Sequence, residues 1–252
     1  MSPAAAPLPV SDDALLGGRV KLLQPVEGYR VAIDPVLLAA AVPAGAGDSV
    51  LDLGCGVGAA ALCLAVRVPG CRVTGVEVQR ELVRLAGENA ARNGVADRVA
   101  IMAGDIGHPP PRLEPGSFAH VMANPPYVAA EAASPSPLPA KATATVEGGA
   151  DLAAWVRFAL TMARPRGTIT FIHRADRLEH LLAQFAGRAG GIVVLPLWPG
   201  AGKPAKRVIV HARKDVATPT RLLPGLVLHE ADGRFTAAAD AVLRDAKALA
   251  LD

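Results

Sequence analysis

Val50-Leu51-Asp52-Leu53-Gly54-Cys55-Gly56-Val57-Gly58 decides the fold of this chain. Residues that favour strands run directly into alternating glycines, and Ala59 to Val68 then carries a helical pattern. Strand, glycine turn and helix in that order open a βαβ unit, since glycine lets the backbone turn sharply and come close to a ligand. The pattern recurs downstream. Arg72 to Glu77 is an expected strand and Arg80 to Asn93 an expected helix, stopped by Asn93-Gly94. Val99 to Met102, Phe118 to Met122 and Thr168 to Ile172 follow as strands, with helices over Leu152 to Ala163 and Ala175 to Phe185. Ile192 to Leu195 and Arg207 to Val210 have no helical pattern between them, so they are expected to pair as a hairpin. The expected fold is therefore α/β: a doubly wound, Rossmann-like sheet of seven strands, mainly parallel with one antiparallel strand. Thr236 to Leu249 is an expected terminal helix.

Composition narrows the setting. The chain has 252 residues, of which 51% are hydrophobic and only 4% aromatic, so a large core is built mostly from Ala, Val and Leu. A net charge of +3 is compatible with a nucleic-acid partner without demanding one. Three cysteines (Cys55, Cys63 and Cys71) without paired Cys-x-x-Cys spacing argue against a disulfide framework and a zinc site. Met1 to Val10 has no basic residue and does not read as a secretory signal, and no uncharged run reaches bilayer length. The expectation is a cytoplasmic protein with no membrane and no metal.

The ligand of the glycine turn can be read from its neighbours. Asp52 sits beside the turn, where a carboxylate disfavours bound phosphate, and the Gly-Lys-Ser/Thr of a triphosphate loop is missing. Glu77 ends the second strand, where an acidic residue can take both hydroxyls of a ribose; the alternative is a strand-end surface charge. Asp105, followed by Ile106, lies just past Gly104 at the end of the third strand. Its carboxylate can accept from an adenine amino group, or it can serve as a turn or cap residue. A ligand with a ribose, an adenine, an ammonium and no phosphate is S-adenosylmethionine. Asp52, Gly54, Cys55, Gly56, Gly58, Glu77, Asp105 and Ile106 are its candidate binding residues.

A second stretch complements the first. Asn124-Pro125-Pro126-Tyr127 follows the apolar run from Phe118 to Ala123 and opens a stiff turn at a strand end. A planar NH2 is a poor nucleophile because its lone pair is delocalised. Accepting one N–H on the Asn124 side-chain oxygen and the other on the Pro125 carbonyl favours a more tetrahedral nitrogen, whose lone pair can point at a sulfonium methyl. Tyr127 offers a ring on which a flat substrate can stack. Asn124, Pro125 and Tyr127 are the candidate catalytic residues, with Asn124 also facing the cofactor and Pro126 and Tyr127 facing the substrate.

Asp52 to Gly58 together with Asn124 to Tyr127 resembles the class I S-adenosylmethionine-dependent methyltransferases that act on exocyclic or amide nitrogens, over roughly Ser49 to Val210. Within that group, Gln24-Pro25 and Gly28-Tyr29-Arg30-Val31-Ala32-Ile33-Asp34-Pro35-Val36-Leu37-Leu38-Ala39 are similar to the segment before the first strand in the bacterial tRNA (valine) adenine-N6 methyltransferase family. That family usually reads Arg-Phe-Ser where this chain has Arg30-Val31-Ala32. The resemblance implies that Arg30 and Asp34 lie over the cofactor, and it extends to the late stretch from Lys203 to Val210. Residues 1–18 read as a flexible tail, and the resemblance implies 19–252 as one methyltransferase domain. Within that domain, 19–47 covers the cofactor, 128–149 is a substrate loop and 214–252 is a C-terminal extension.

The expected reaction is direct methyl transfer, most simply to adenine N6 in tRNA, with no covalent intermediate. Cys55 is then a turn residue, and none of the six scattered histidines is needed as a base. Lys203, Lys206 and Arg207, compact in a Gly/Pro loop, are the leading candidates for phosphate contact; Lys141 and the Arg164/Arg166 and Arg174/Arg177 pairs are further ones. Other readings stay open: methylation of a protein glutamine amide, of a ribosomal RNA or DNA base, or a non-catalytic cofactor-binding RNA module. Helical-domain release-factor enzymes fit less well, because nothing precedes the first strand that could form their extra domain.

Overall fold

The computed structural model describes residues 8–126 and 151–251. Tyr127, Lys141 and the expected substrate loop 128–149 lie outside them. The central sheet contains β3 (Ser49–Leu53), β4 (Arg72–Glu77), β5 (Val99–Ala103), β6 (Phe118–Ala123), β7 (Ala163–Arg174), β8 (Ala189–Trp198) and β9 (Arg207–Lys214). Their order across the sheet is β8-β9-β7-β6-β3-β4-β5. β3 pairs in parallel with β4 and β6, and β9 runs antiparallel to both β7 and β8. The seven expected strands and the single reversed one are thus in place. Two short strands, β10 (Arg221–Leu222) and β11 (Leu226–Val227), add to the outer side of β8.

Helices cover both faces. On one side lie α1 (Asp34–Ala41), α2 (Ala59–Arg67) and α6 (Ala237–Asp245); on the other lie α4 (Leu152–Met162) and α5 (Leu178–Phe185). Alternation along β3 shows how one strand serves both layers. Val50 packs with the α1/α2 side, while Leu51 and Leu53 pack with the α4/α5 side. Asp52 has the parity of Val50, so its carboxylate meets α2, where it accepts from the Ala61 amide at 3.2 Å. α3 (Arg80–Arg92) ends at Asn93, and Gly94 takes φ 63° there. α6 is capped by the Thr236 hydroxyl, which accepts from the Ala239 amide at 3.1 Å, and it stops at Asp245, earlier than the sequence pattern suggested.

Two stretches differ from expectation. The tail read as loose through Gly18 forms β1 (Val10–Leu15), which pairs antiparallel with β2 (Val20–Pro25). The hairpin is pinned by side chains of α3. Asn89 accepts from the Leu23 amide at 2.7 Å and donates to the Leu23 and Val57 carbonyls at 2.9 and 3.0 Å. Asn93, one turn on, does the same for the amide and carbonyl of Lys21 at 2.8 and 2.7 Å. The second difference is at β7, which begins at Ala163 rather than Thr168. Pairing jumps from Phe118–Ala163 to His120–Thr168, so residues 164–167 bulge out, with Arg166 in the left-handed region at φ 62°. Among the described residues, no helix is long and apolar enough to cross a membrane.

Candidate functional site

Register brings the candidate residues to one edge of the sheet. Leu53 stands opposite Val76 on β4 and Ala123 on β6, and Glu77 stands opposite Ala103 on β5. The residues that follow these strands (Gly54, Gly104-Asp105 and Asn124) are therefore level with Glu77 at the carboxyl end of the parallel strands, where open α/β sheets bind ligands.

The glycine turn is bent as expected: Gly54, Gly56 and Gly58 take φ of 64°, 56° and 86°. A side chain at Gly54 would put its first carbon 2.5 Å from Trp155 of α4, so the turn is pressed against the core there. At Gly56 the same carbon would meet nothing within 4 Å, which leaves the backbone open on that side. Glu77 ties the turn to β4. Its carboxylate accepts from the amides of Gly56 at 3.0 Å and Gln79 at 2.8 Å. Burial raises the Glu77 pKa against these bonds. Burial likewise pushes Asp52 up to about 7; the Ala61 amide opposes the shift and the Glu77 charge adds to it. Two buried carboxylates held reluctantly as anions fit a cationic ligand, and the open side of Gly56 gives it room. Cys55 is buried against Gly75, and burial with two carboxylates nearby drives its thiol pKa well above the ordinary range, which suits a packing residue and not a nucleophile.

Asp105 is turned into its own loop, accepting from the Gly107 amide at 2.9 Å with His108 at 3.5 Å. Ile106 packs against the α4/α5 layer. Asp34, at the first turn of α1, accepts from Arg207 Nε at 2.9 Å and so joins the start of α1 to the start of β9. Arg30, expected beside it, is drawn to the β1 hairpin instead: it pairs with Asp13 at 2.9 Å and donates to the Ser11 hydroxyl at 3.0 Å. Arg30 therefore makes its hydrogen bonds with β1 and not with the glycine turn.

Asn124 is half-buried and Pro125 buried directly after β6. Burial and the Asp34 charge raise the pKa of Tyr29, against the influence of Asn124 and Arg207. Beyond Asn124 the edge continues into cations. Ala175, just past β7, donates to the Lys206 carbonyl at 3.1 Å, which brings Arg174 and Arg177 beside Lys206 and Arg207. Arg174 is ion-paired with Asp176, while Lys203 and Lys206 are exposed.

Residues 31–144 match the family model of the methyltransferase small domain. The chain is 29% identical over 212 residues to the tRNA1(Val) (adenine(37)-N6)-methyltransferase of Aeromonas hydrophila, covering 82% of this chain and 85% of that protein. It is 32% identical over 158 residues to the same enzyme of Porphyromonas gingivalis, covering 60% and 61% of the two chains. A shorter similarity, 36% over 81 residues (32% of this chain and 28% of the other), reaches the release factor glutamine methyltransferase of Chlorobaculum tepidum. In three dimensions the fold matches a crystal structure of a predicted O-methyltransferase from Agrobacterium tumefaciens, with a TM-score of 0.72, 24% identity, and coverage of 86% of this chain and 98% of that one.

Proposed function

For this chain, a methyltransferase with the class I fold, we propose that the methyl donor is S-adenosylmethionine and the acceptor an exocyclic amino group, adenine N6 of a tRNA in the first instance. The observation that carries the reading is the placement of Asn124, level with the glycine turn and directly followed by two prolines. Asp52, Gly54, Gly56 and Glu77 would hold the donor, with Asp34 and Asp105 at its margins. When bound, the donor supplies an electrophilic methyl group on a sulfonium. Asn124 Oδ1 and the Pro125 carbonyl accept the two N–H bonds of the amine and orient its lone pair. The chain lends no nucleophile of its own; its contribution is alignment of two reactants and acceptors placed for a nitrogen that becomes positive. A base inside an RNA must leave its stack to reach this edge. Lys203, Lys206 and Arg207, with Arg174 and Arg177 close by, supply cations for the flanking phosphates. Such a reaction suits a cytoplasmic protein.

The relatives named for tRNA cover most of this chain, whereas similarity to a glutamine methyltransferase covers about a third of it, which favours RNA over a protein amide. The test offers labelled S-adenosylmethionine with bulk tRNA, ribosomal RNA and release factor in parallel, followed by nucleoside mass spectrometry. N6-methyladenosine in tRNA is the expected product. Label confined to protein would reject the RNA reading, and no cofactor binding at millimolar concentration would reject the donor.

A further inference from the structure

Of the five phenylalanines, Phe118, Phe158, Phe171 and Phe185 are buried, and Phe235 alone is partly exposed. It lies in a short hairpin that follows β11. The Leu228 amide donates to the Trp198 carbonyl at 2.8 Å and so continues the pairing of β11 to the last residue of β8. The chain then doubles back. The Glu230 amide donates to the Arg234 carbonyl at 2.8 Å and the Thr236 amide to the Leu228 carbonyl at 2.9 Å, with Gly233 in the turn at φ 85°. His229 and Phe235 stand opposite each other on the two arms. Their rings are stacked, with centroids 4.8 Å apart and planes 27° from parallel. Phe235 packs against the α1/α2 layer, and His229 stays partly exposed.

This hairpin stands at the sheet edge that carries Asn124. Leu197 of β8, Arg207 of β9 and Arg174 of β7 are level with one another, just past Phe171, the partner of Ala123. From β6 to β11 the order is β6-β7-β9-β8-β11, four strand spacings or roughly 19 Å. The basic loop after β8 is tied to the hairpin. His229 Nδ1 donates to the Pro199 carbonyl at 3.1 Å. A carbon added at Gly200 would come 3.4 Å from Lys203 Cδ and 3.7 Å from the His229 carbonyl oxygen, so Gly200 is held between the Lys203 stem and the hairpin. Arg234 is paired with Asp232 at 2.7 Å and Glu230 is exposed. The hairpin therefore brings rings to this edge, and the loop brings the positive charge of Lys203 and Lys206.

Every nucleobase has a π-face, and histidine is among the rings on which unpaired RNA bases stack. A second ring behind the first fixes its plane, so less side-chain freedom is lost when a base arrives. Lysines on long stems serve phosphates as point charges. We propose that the His229–Phe235 pair is a stacking platform for one unpaired nucleotide of the RNA, a few positions from the methylated base, with Lys203 and Lys206 on the adjoining phosphates. The proposal rests on RNA as the acceptor, and it gives residues 228–236 a part in selecting that RNA.

The test measures affinity of the full chain for bulk tRNA, and for release factor in parallel, over a series of salt concentrations. His229→Ala should weaken tRNA binding about tenfold, within the range for one base on one ring. His229→Phe keeps a ring and loses the bond to Pro199; it should stay within about twofold of wild type. His229→Asn keeps a donor for Pro199 and has no ring; it should be as weak as His229→Ala. The slope of log affinity against log salt should be unchanged in His229→Ala and shallower by about 0.7 in Lys203→Gln, the share of one phosphate on a single strand. Melting temperature and donor affinity near wild type show that each variant is folded. Wild-type affinity in His229→Asn with a loss in His229→Phe would overturn the proposal and make His229 a brace for Pro199. Equal tRNA affinity in all variants would overturn the platform alone and leave the RNA reading intact. A loss in His229→Ala confined to release factor would also overturn it, giving the rings to a protein partner. A wild-type protein that binds no tRNA would overturn the RNA reading, and the platform with it.

Discussion

The two halves of the site share one sheet edge but are held by different means. On the proposed cofactor side, the glycine turn is held within one βαβ unit: three glycines take left-handed conformations, and the Asp52 and Glu77 carboxylates accept from the amides of Gly56, Ala61 and Gln79. On the acceptor side, the geometry rests on side chains. Asp34 meets Arg207 across 173 positions of sequence, joining the start of α1 to the start of β9. A turn held by bonds within one βαβ unit forms whenever the sheet forms. A side-chain relay can be altered one residue at a time without disturbing the fold. On the proposed reading, donor binding follows from the architecture and acceptor choice from a few side chains.

The sharpest way to separate the halves is Asn124→Ala. Methyl transfer should drop by about 10²–10³-fold, as when a key transition-state acceptor is removed, while donor affinity by calorimetry changes little. Collapse of both would mean the halves are one unit. Gly54→Ala attacks the other side. Its φ of 64° and the 2.5 Å approach to Trp155 should together cost about 3 kcal/mol of stability. Gly56→Ala, at φ 56° but with open space around its added carbon, should cost about 1–2 kcal/mol of strain and lose donor affinity out of proportion. Thermal melts and titrations on both variants decide this; equal affinity losses would deny that Gly56 faces the ligand.

Asp52 allows a test with a sign. Its pKa rises from 3.8 unfolded to about 7 folded, so the folded state keeps a proton that the unfolded chain gives up, and stability is lost as pH climbs from about 4 to about 7. Asp52→Asn should therefore stabilise the protein by roughly 1–3 kcal/mol at pH 8 and hardly at all at pH 4. Donor affinity of the wild type should increase through pH 7, as the carboxylate becomes the counter-charge of a cation, with proton release visible in buffers of different ionisation heat. Affinity flat in pH would place the donor's cationic groups away from Asp52. The smallest change expected is Arg207→Lys, which keeps the charge and loses the planar fork that reaches Asp34. The Michaelis constant for RNA should rise by about threefold with little effect on stability.

The legible and illegible parts divide along the same line. Asp52 to Gly58 and Glu77 could be read because strand, turn and carboxylate follow one another within a single βαβ unit. The reversed β9 could be read because the link from Pro196 to Lys206 has no helical pattern. The β1 strand could not. Ser11-Asp12-Asp13 is polar, and its hairpin owes its place to β2 and to Asn89 and Asn93, more than 60 residues away. Arg30, placed over the cofactor by its local stretch, gains partners in Asp13 and Ser11 that only the hairpin brings to it.

The paired asparagines of α3 also bear on solubility. A hairpin edge normally presents rows of unspent amides and carbonyls on which another chain can align. Along β2, the groups of Lys21 and Leu23 are already occupied by Asn93 and Asn89. Those two side chains do the work of a missing neighbouring strand, with no strand to propagate further. The hairpin is thereby closed to extension by a second copy along that edge, and loss of the asparagines would leave it sticky well before the sheet itself came apart.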